Sequence, residues 1–259
     1  MRAVEQSAVQ EHPHGRSSAV SLPPKLQRTL IFLLGFVAGY VDACTFLALF
    51  GLFVAQVTGS FVIAGTEPFV HEAGFLMKAL AIPVFVVAAA ATTILASVIP
   101  STRQSAWLWV LGLEGALLIA FLWIGLTNSP LDDPDRPAAL IAGLCGLAAM
   151  GVQSAAVRLL AQGAPSTNVM TTNTTQFAID ATQLLLARFR SGPADKFIPL
   201  PEIGKVRQRF SETVRAMIGF LVGVVLGAPA FRLFGFVCLA PVIGILFCLG
   251  IAASHQDLR

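Results

Sequence analysis

Of the chain's 259 residues, 56% are hydrophobic and only 12% charged, about half the charge of a soluble domain of that size. Several apolar runs exceed the roughly 18 residues that mark a membrane-crossing helix, which excludes an ordinary water-soluble globular protein. The formal net charge of +3 excludes little by itself, and its distribution along the chain says more than its sum.

Residues 1–28 read as a disordered polar tail without the apolar core and small-residue cleavage site of a signal peptide. His12 and His14 within it read as solvated side chains rather than metal ligands. A single transmembrane domain is expected over 29–254. Its first span, about Leu30 to Phe50, carries Gly35 and Gly39, a small-xxx-small step that lets helices approach closely. It also carries Asp42, an acid inside an apolar run. A carboxyl group at membrane depth is costly to keep there, so it points to a functional site; a structural helix-to-helix hydrogen bond is the plainer alternative.

The next apolar piece, Leu52 to Gly65, is too short to cross a bilayer and includes the polar patch Gln56, Thr58, Gly59 and Ser60. It predicts a half-helix or re-entrant segment. Two spans follow, about Phe75 to Ile99 with Pro83 as a kink site, and about Ala106 to Leu126 with Glu114 near its middle. After an acidic loop, a fourth span runs from about Ala138 to Val157 and ends near Gln153, Ser154 and Arg158. Residues 164–187 are too polar to face lipid and contain Thr171, Thr172, Asn173 and Asp180. A basic cytoplasmic loop is expected over 188–213, and it most simply reads the inner leaflet rather than a nucleic acid. The fifth span holds a Gly219-Gly223-Gly227 row, read as packing within the chain with a homodimer interface as the alternative, and the sixth, about Leu233 to Ala252, carries Pro241.

The expectation is an all-α membrane bundle of about six full spans and two broken segments, in the plasma (inner) membrane. With both termini cytoplasmic, 14 basic residues fall inside and 3 outside, as the positive-inside rule requires. If both broken segments crossed fully the same count would result, so the rule alone does not choose. An internal repeat is also visible: Gly39-Tyr40-Val41-Asp42-Ala43 precedes a Thr-Gly-Ser patch, as Gly151-Val152-Gln153-Ser154-Ala155 precedes Thr171-Thr172-Asn173. Repeat one, about 30–126, and repeat two, about 138–252, would then lie upside down to one another, with the broken segments meeting near the midplane.

Two stretches carry a family resemblance. AGYVDACTFLALFGLFVAQVTGSFVIAG, and MGVQSAAVR followed by TNVMTTNTTQFAID, resemble the two signature motifs of the YoaK-like family, bacterial integral membrane proteins of unknown function. The resemblance maps onto Gly39, Asp42, Ala43, Thr58, Gly59 and Ser60, then Gly151, Gln153, Arg158, Thr171, Thr172 and Asn173. Ser60 departs from the family's asparagine and Thr172 from its glycine, which weakens the case for a sharp backbone break at Thr172. The resemblance implies membrane location and architecture and supplies no substrate.

From these readings comes one expected polar site for a small solute or ion, made of Asp42, Gln56, Thr58, Gly59, Ser60, Glu114, Gln153, Thr171, Thr172 and Asn173. A transporter working by rocking one repeat against the other is the leading expectation; a non-transporting scaffold or partner subunit and a passive channel are the alternatives. No nucleophile elbow, zinc-protease or phosphate-loop motif occurs, so neither enzyme chemistry nor a cofactor is expected. The four cysteines lack metal-site spacing and read as packing residues.

Overall fold

The computed structural model describes residues 23–70, 74–98, 103–189 and 202–255. Most of the predicted tail and residues 190–201 of the basic loop lie outside the described residues. Among the described residues are eight α-helices: α1 (Pro24–Ala48), α2 (Thr58–Val70), α3 (Phe75–Val98), α4 (Arg103–Asn128), α5 (Pro137–Leu160), α6 (Met170–Phe189), α7 (Ile203–Phe234) and α8 (Ala240–Ser254). A short 3-10 turn, Gly235–Leu239, joins the last two, and no strand occurs among the described residues. The all-α membrane bundle that the composition predicts is the architecture found.

Several boundaries differ from the sequence expectation. Helix α1 starts at Pro24, inside the predicted tail, because proline at the first helical position lacks only an N–H that would be unpaired anyway. Helix α7 starts at Ile203, so Lys205, Arg207, Arg209 and Arg215 stand on a helix rather than in a loop. Five stretches are long and apolar enough to cross a membrane, the last being the 52-residue run Ile203–Ser254. Within that run the predicted sixth span is the 3-10 turn plus the 15 residues of α8, together about 32 Å. Pro241 stands in the first turn of α8.

Residue pairs across the interfaces fix the helix directions. Along the α1–α7 seam a Cβ on Gly35 would lie 2.7 Å from the carbonyl oxygen of Ala216, and one on Gly227 2.8 Å from that of Tyr40. Both numberings rise together, so the two helices are parallel. Gly143 meets Met77 and Gly151 meets Ala88, which makes α3 and α5 parallel as well. Gln153 bonds the Leu34 carbonyl and Gly146 faces Thr45, so α1 and α5 are antiparallel. Gly115 meets Phe247 and Gly125 meets Phe236, so α4 opposes α8. Helices α1 and α7 therefore point one way and α3 and α5 the other, and α4 and α8 oppose each other.

This has a direct consequence for the two short segments. Leu52, just after α1, and Met77, at the start of α3, both pack on Gly143. The chain thus leaves α1 and enters α3 on one face, so α2 lies between two ends on the same side. Likewise Arg158 at the end of α5 and Arg209 near the start of α7 line one cavity, so α6 starts and finishes on one side. The ambiguity left by the charge count is resolved in favour of six crossings.

The packing pattern is paired. Helix α1 lies on α7 as α5 lies on α3; α2 lies on α3 as α6 lies on α7; α1 touches α8 as α5 touches α4; and α1 meets α5 while α4 meets α8. Helices α1 and α5 are central, with 72% and 67% of their apolar windows buried against 17% for α3. The paired seams differ in closeness. A Cβ on Gly39 would strike the carbonyl oxygen of Phe220, and one on Gly223 that of Phe36, so α1 and α7 touch backbone to backbone, as small residues permit in a bilayer. Next to α3 and α5 lies instead an apolar cavity of about 370 Å³, bordered by Pro83, Val84, Val87, Leu113, Ala148 and Val152 among others.

Candidate functional site

The first break begins where α1 runs out. Leu49 still bonds back to Thr45, but Phe50 (φ 55°) and Gly51 (φ 79°) turn the chain through left-handed backbone. Glycine does so freely, and phenylalanine only at a cost that the surroundings must offset. In the extended stretch that follows, the backbone N–H groups of Val54 and Ala55 both donate to Asp42 Oδ1, at 2.8 and 2.9 Å. Asp42 is 2% exposed, and the Phe46 and Phe53 rings pack beside the loop with centroids 5.0 Å apart. A backbone released from a helix inside a membrane needs internal partners. Asp42 supplies them. The helix then restarts at Thr58, with Thr58, Gly59 and Gln56 exposed and Ser60 buried.

The second break is held by neutral groups. Gln153, fully buried in α5, donates through Nε2 to the Leu34 carbonyl and to Thr167 Oγ1, both at 2.9 Å. Thr167 donates in turn to Asn168 Oδ1, and Asn168 Nδ2 donates to the Met150 carbonyl at 3.1 Å. Asn173 Nδ2 donates to the Ser166 carbonyl at 2.6 Å, closing the entry to α6. The helix restarts at Met170, and Thr171 and Thr172 are exposed while Asn173 is buried. Gln153 thus reaches 14 residues ahead to the unwound chain, as Asp42 reaches 12 and 13.

Glu114 belongs to neither break. It sits in the middle of the α4 stripe Trp107, Leu111, Leu118 and Phe121, and is 0% exposed. Neither carboxyl oxygen has a hydrogen-bond partner among the described residues. A buried carboxyl group left unpaired costs stability, and such a group calls for an explanation in function.

Of the ten residues expected to form one site, Thr172 and Asn173 line one cavity at the second break, and Asp42 holds the first. Helix α2 lies on α3 and α6 on α7, and Asp42 Oδ1 is occupied by its own loop.

Sequence reasoning missed a polar cavity of about 260 Å³ at the second break. Three helices each contribute a pair four residues apart: Ser154 and Arg158 from α5, Thr172 and Gln176 from α6, Arg209 and Thr213 from α7. Spacing by four puts each pair on one helix face, a signal present in the sequence but uninterpretable without knowing which faces meet. Behind the cavity, fully buried Asp180 receives both Arg209 Nε, at 3.1 and 3.0 Å from its two oxygens, and Arg209 Nη2. Also unforeseen, the buried thiols of Cys44 and Cys238 lie 3.6 Å apart, beside a 2.9 Å hydrogen bond from the Tyr40 hydroxyl to the Cys238 carbonyl. No group of three or more His, Cys, Asp or Glu gathers among the described residues.

The fold and these two pinned breaks define a polytopic helical membrane protein. The chain matches the family model described as "Protein of unknown function (DUF1275)" over residues 30–252 and belongs to that family, in keeping with the resemblance of its two motifs. No curated protein and no solved structure matches it.

Proposed function

We propose that this protein moves a small polar solute or ion across the plasma membrane, with both termini cytoplasmic, and that its two halves are an inverted repeat. The observation that carries this reading is the pair of pinned helix breaks in halves whose helices run in opposite directions, α1 against α5, α3 against α7 and α4 against α8. Interrupted helices in oppositely oriented repeats are the plan on which many secondary transporters build their sites. The charge distribution supports the orientation: Lys25, Arg28, Arg158, Lys205 and Arg207 belong to one face, and Lys78, Arg136 and Arg232 to the other.

In this reading Asp42 and Gln153 hold the breaks in shape, and Glu114, buried and without a partner among the described residues, is the carboxyl group that takes up and gives back a proton. The test is reconstitution into vesicles containing a pH-sensitive dye, with panels of amino acids, sugars and small carboxylates added outside. Solute-dependent proton movement is expected in wild type and is lost in Glu114→Gln. If no solute moves protons, or if Glu114→Gln matches wild type wherever one does, the transport reading fails in this form. A non-transporting scaffold is favoured by one observation, the complete engagement of Asp42 Oδ1 in loop contacts, and it predicts that every Glu114 variant is silent.

A further inference from the structure

We infer that the cavity between α5, α6 and α7 is a binding site for a small oxyanion, a carboxylate or phosphate group. It lies apart from Asp42 and Glu114, and the inference stands whether or not the protein transports. Two guanidinium groups, Arg158 and Arg209, line it, and no carboxyl group does. Arg209 is neutralised from behind by Asp180. Arg158 is not: it has no ionic or hydrogen-bonding partner among the described residues, and its exposed side chain borders the opening. Its planar fork matches an oxyanion with two parallel N–H donors.

A second, independent feature points inward. Thr213 lines the same cavity, is 1% exposed, and its hydroxyl has no hydrogen-bond partner among the described residues. Buried hydroxyls are nearly always paired, and this one borders the cavity. Ser154 and Thr172 add hydroxyls, and the first turn of α6 brings the positive end of a 20-residue helix to the same space. The volume of about 260 Å³ lies just under the roughly 300–1,000 Å³ of drug-sized sites, which suits a small metabolite.

The same oxyanion chemistry is offered by a soluble solute and by a lipid headgroup, and the test separates them. Thermal denaturation of the full chain in neutral detergent is followed while inorganic phosphate, succinate or, in mixed micelles, phosphatidylglycerol is titrated at constant ionic strength. At least one of the three raises the melting temperature saturably. Arg158→Gln weakens that apparent affinity about tenfold or more, and Thr213→Val about threefold to tenfold. Saturation by phosphate or succinate assigns a soluble ligand, and saturation by the lipid alone assigns a headgroup. Because Arg158 is exposed and unpaired, Arg158→Gln folds normally, which its melting temperature without anion checks. Absence of a saturable shift with all three probes overturns the proposal, as does an unchanged affinity in Arg158→Gln. Neither result touches the proton-flux test, which reads Glu114.

Discussion

At the first break one carboxyl oxygen gathers two backbone N–H groups into an apolar surrounding; at the second, a chain of neutral amides and hydroxyls holds the loop and leaves a polar cavity beside it. Both satisfy backbone that has left its helix, as a membrane interior demands. The first is closed and rests on a single atom, Asp42 Oδ1. The second is distributed over Gln153, Thr167, Asn168 and Asn173 and opens toward Arg158. Concentrating the contacts makes the first break fragile to one substitution, whereas the second can lose a member and persist.

The largest effect tests that fragility. Asp42→Leu strands two buried N–H groups and is expected to cost about 2–5 kcal/mol, read as loss of folded protein on detergent gel filtration. Asp42→Asn keeps an acceptor oxygen in the same place and is expected to stay within about 1 kcal/mol of wild type; equal losses in both variants would mean that the contact is not what holds the loop. Arg209→Gln removes the charged partner of fully buried Asp180, which keeps a hydrogen bond from Gln176, and the arginine side chain is 45% exposed. A cost of about 1–3 kcal/mol is expected, less than for a fully buried pair, with loosening at the α6–α7 contact that limited proteolysis would detect. Gln153→Leu is expected to cost about 1–2 kcal/mol, since Asn168 and Asn173 keep their own bonds; a collapse as large as that of Asp42→Leu would erase the contrast between the breaks. The smallest change runs the other way. Glu114→Met replaces an unpaired buried carboxyl group with an apolar side chain of similar size and is expected to raise stability by about 1 kcal/mol, a small upward shift in melting temperature. Solvent access gives a sharper view of the same contrast. In a background without native cysteines, a thiol at Thr172 is expected to react quickly with a membrane-impermeant maleimide, and one at Ala55, 2% exposed, to stay unreacted.

Much of the architecture can be read from the residues because bilayer physics is strict. The long apolar runs become α1, α3, α4 and α5, and the acid at Asp42 marks the first break correctly. The polar Thr-Gly-Ser patch coincides with the restart of helix at Thr58. What Asp42 binds was not legible, because the amides of Val54 and Ala55 leave no trace in side-chain identity. The polar cavity was hidden for a different reason. Ser154, Arg158, Thr172, Gln176, Arg209 and Thr213 span sixty residues of sequence, and only the rotation of three helices brings their faces together. Cys44 and Cys238 show the same limit, being 194 residues apart along the chain and 3.6 Å apart in space. The start of α7 was misplaced because a basic, polar stretch suggested a loop, where an amphipathic helix end emerging from the bilayer carries the same composition.

The seam between α1 and α7 also bears on how the molecule is assembled. Its closest backbone approach joins a helix from the first half of the sequence to one from the second, and α3 with α5 repeats that exchange. Each half is therefore a wall of the other's house, and neither encloses a core alone. A chain split in the acidic loop near Asp132 is expected to yield two fragments that are unstable when made separately and that form a stable complex when co-expressed.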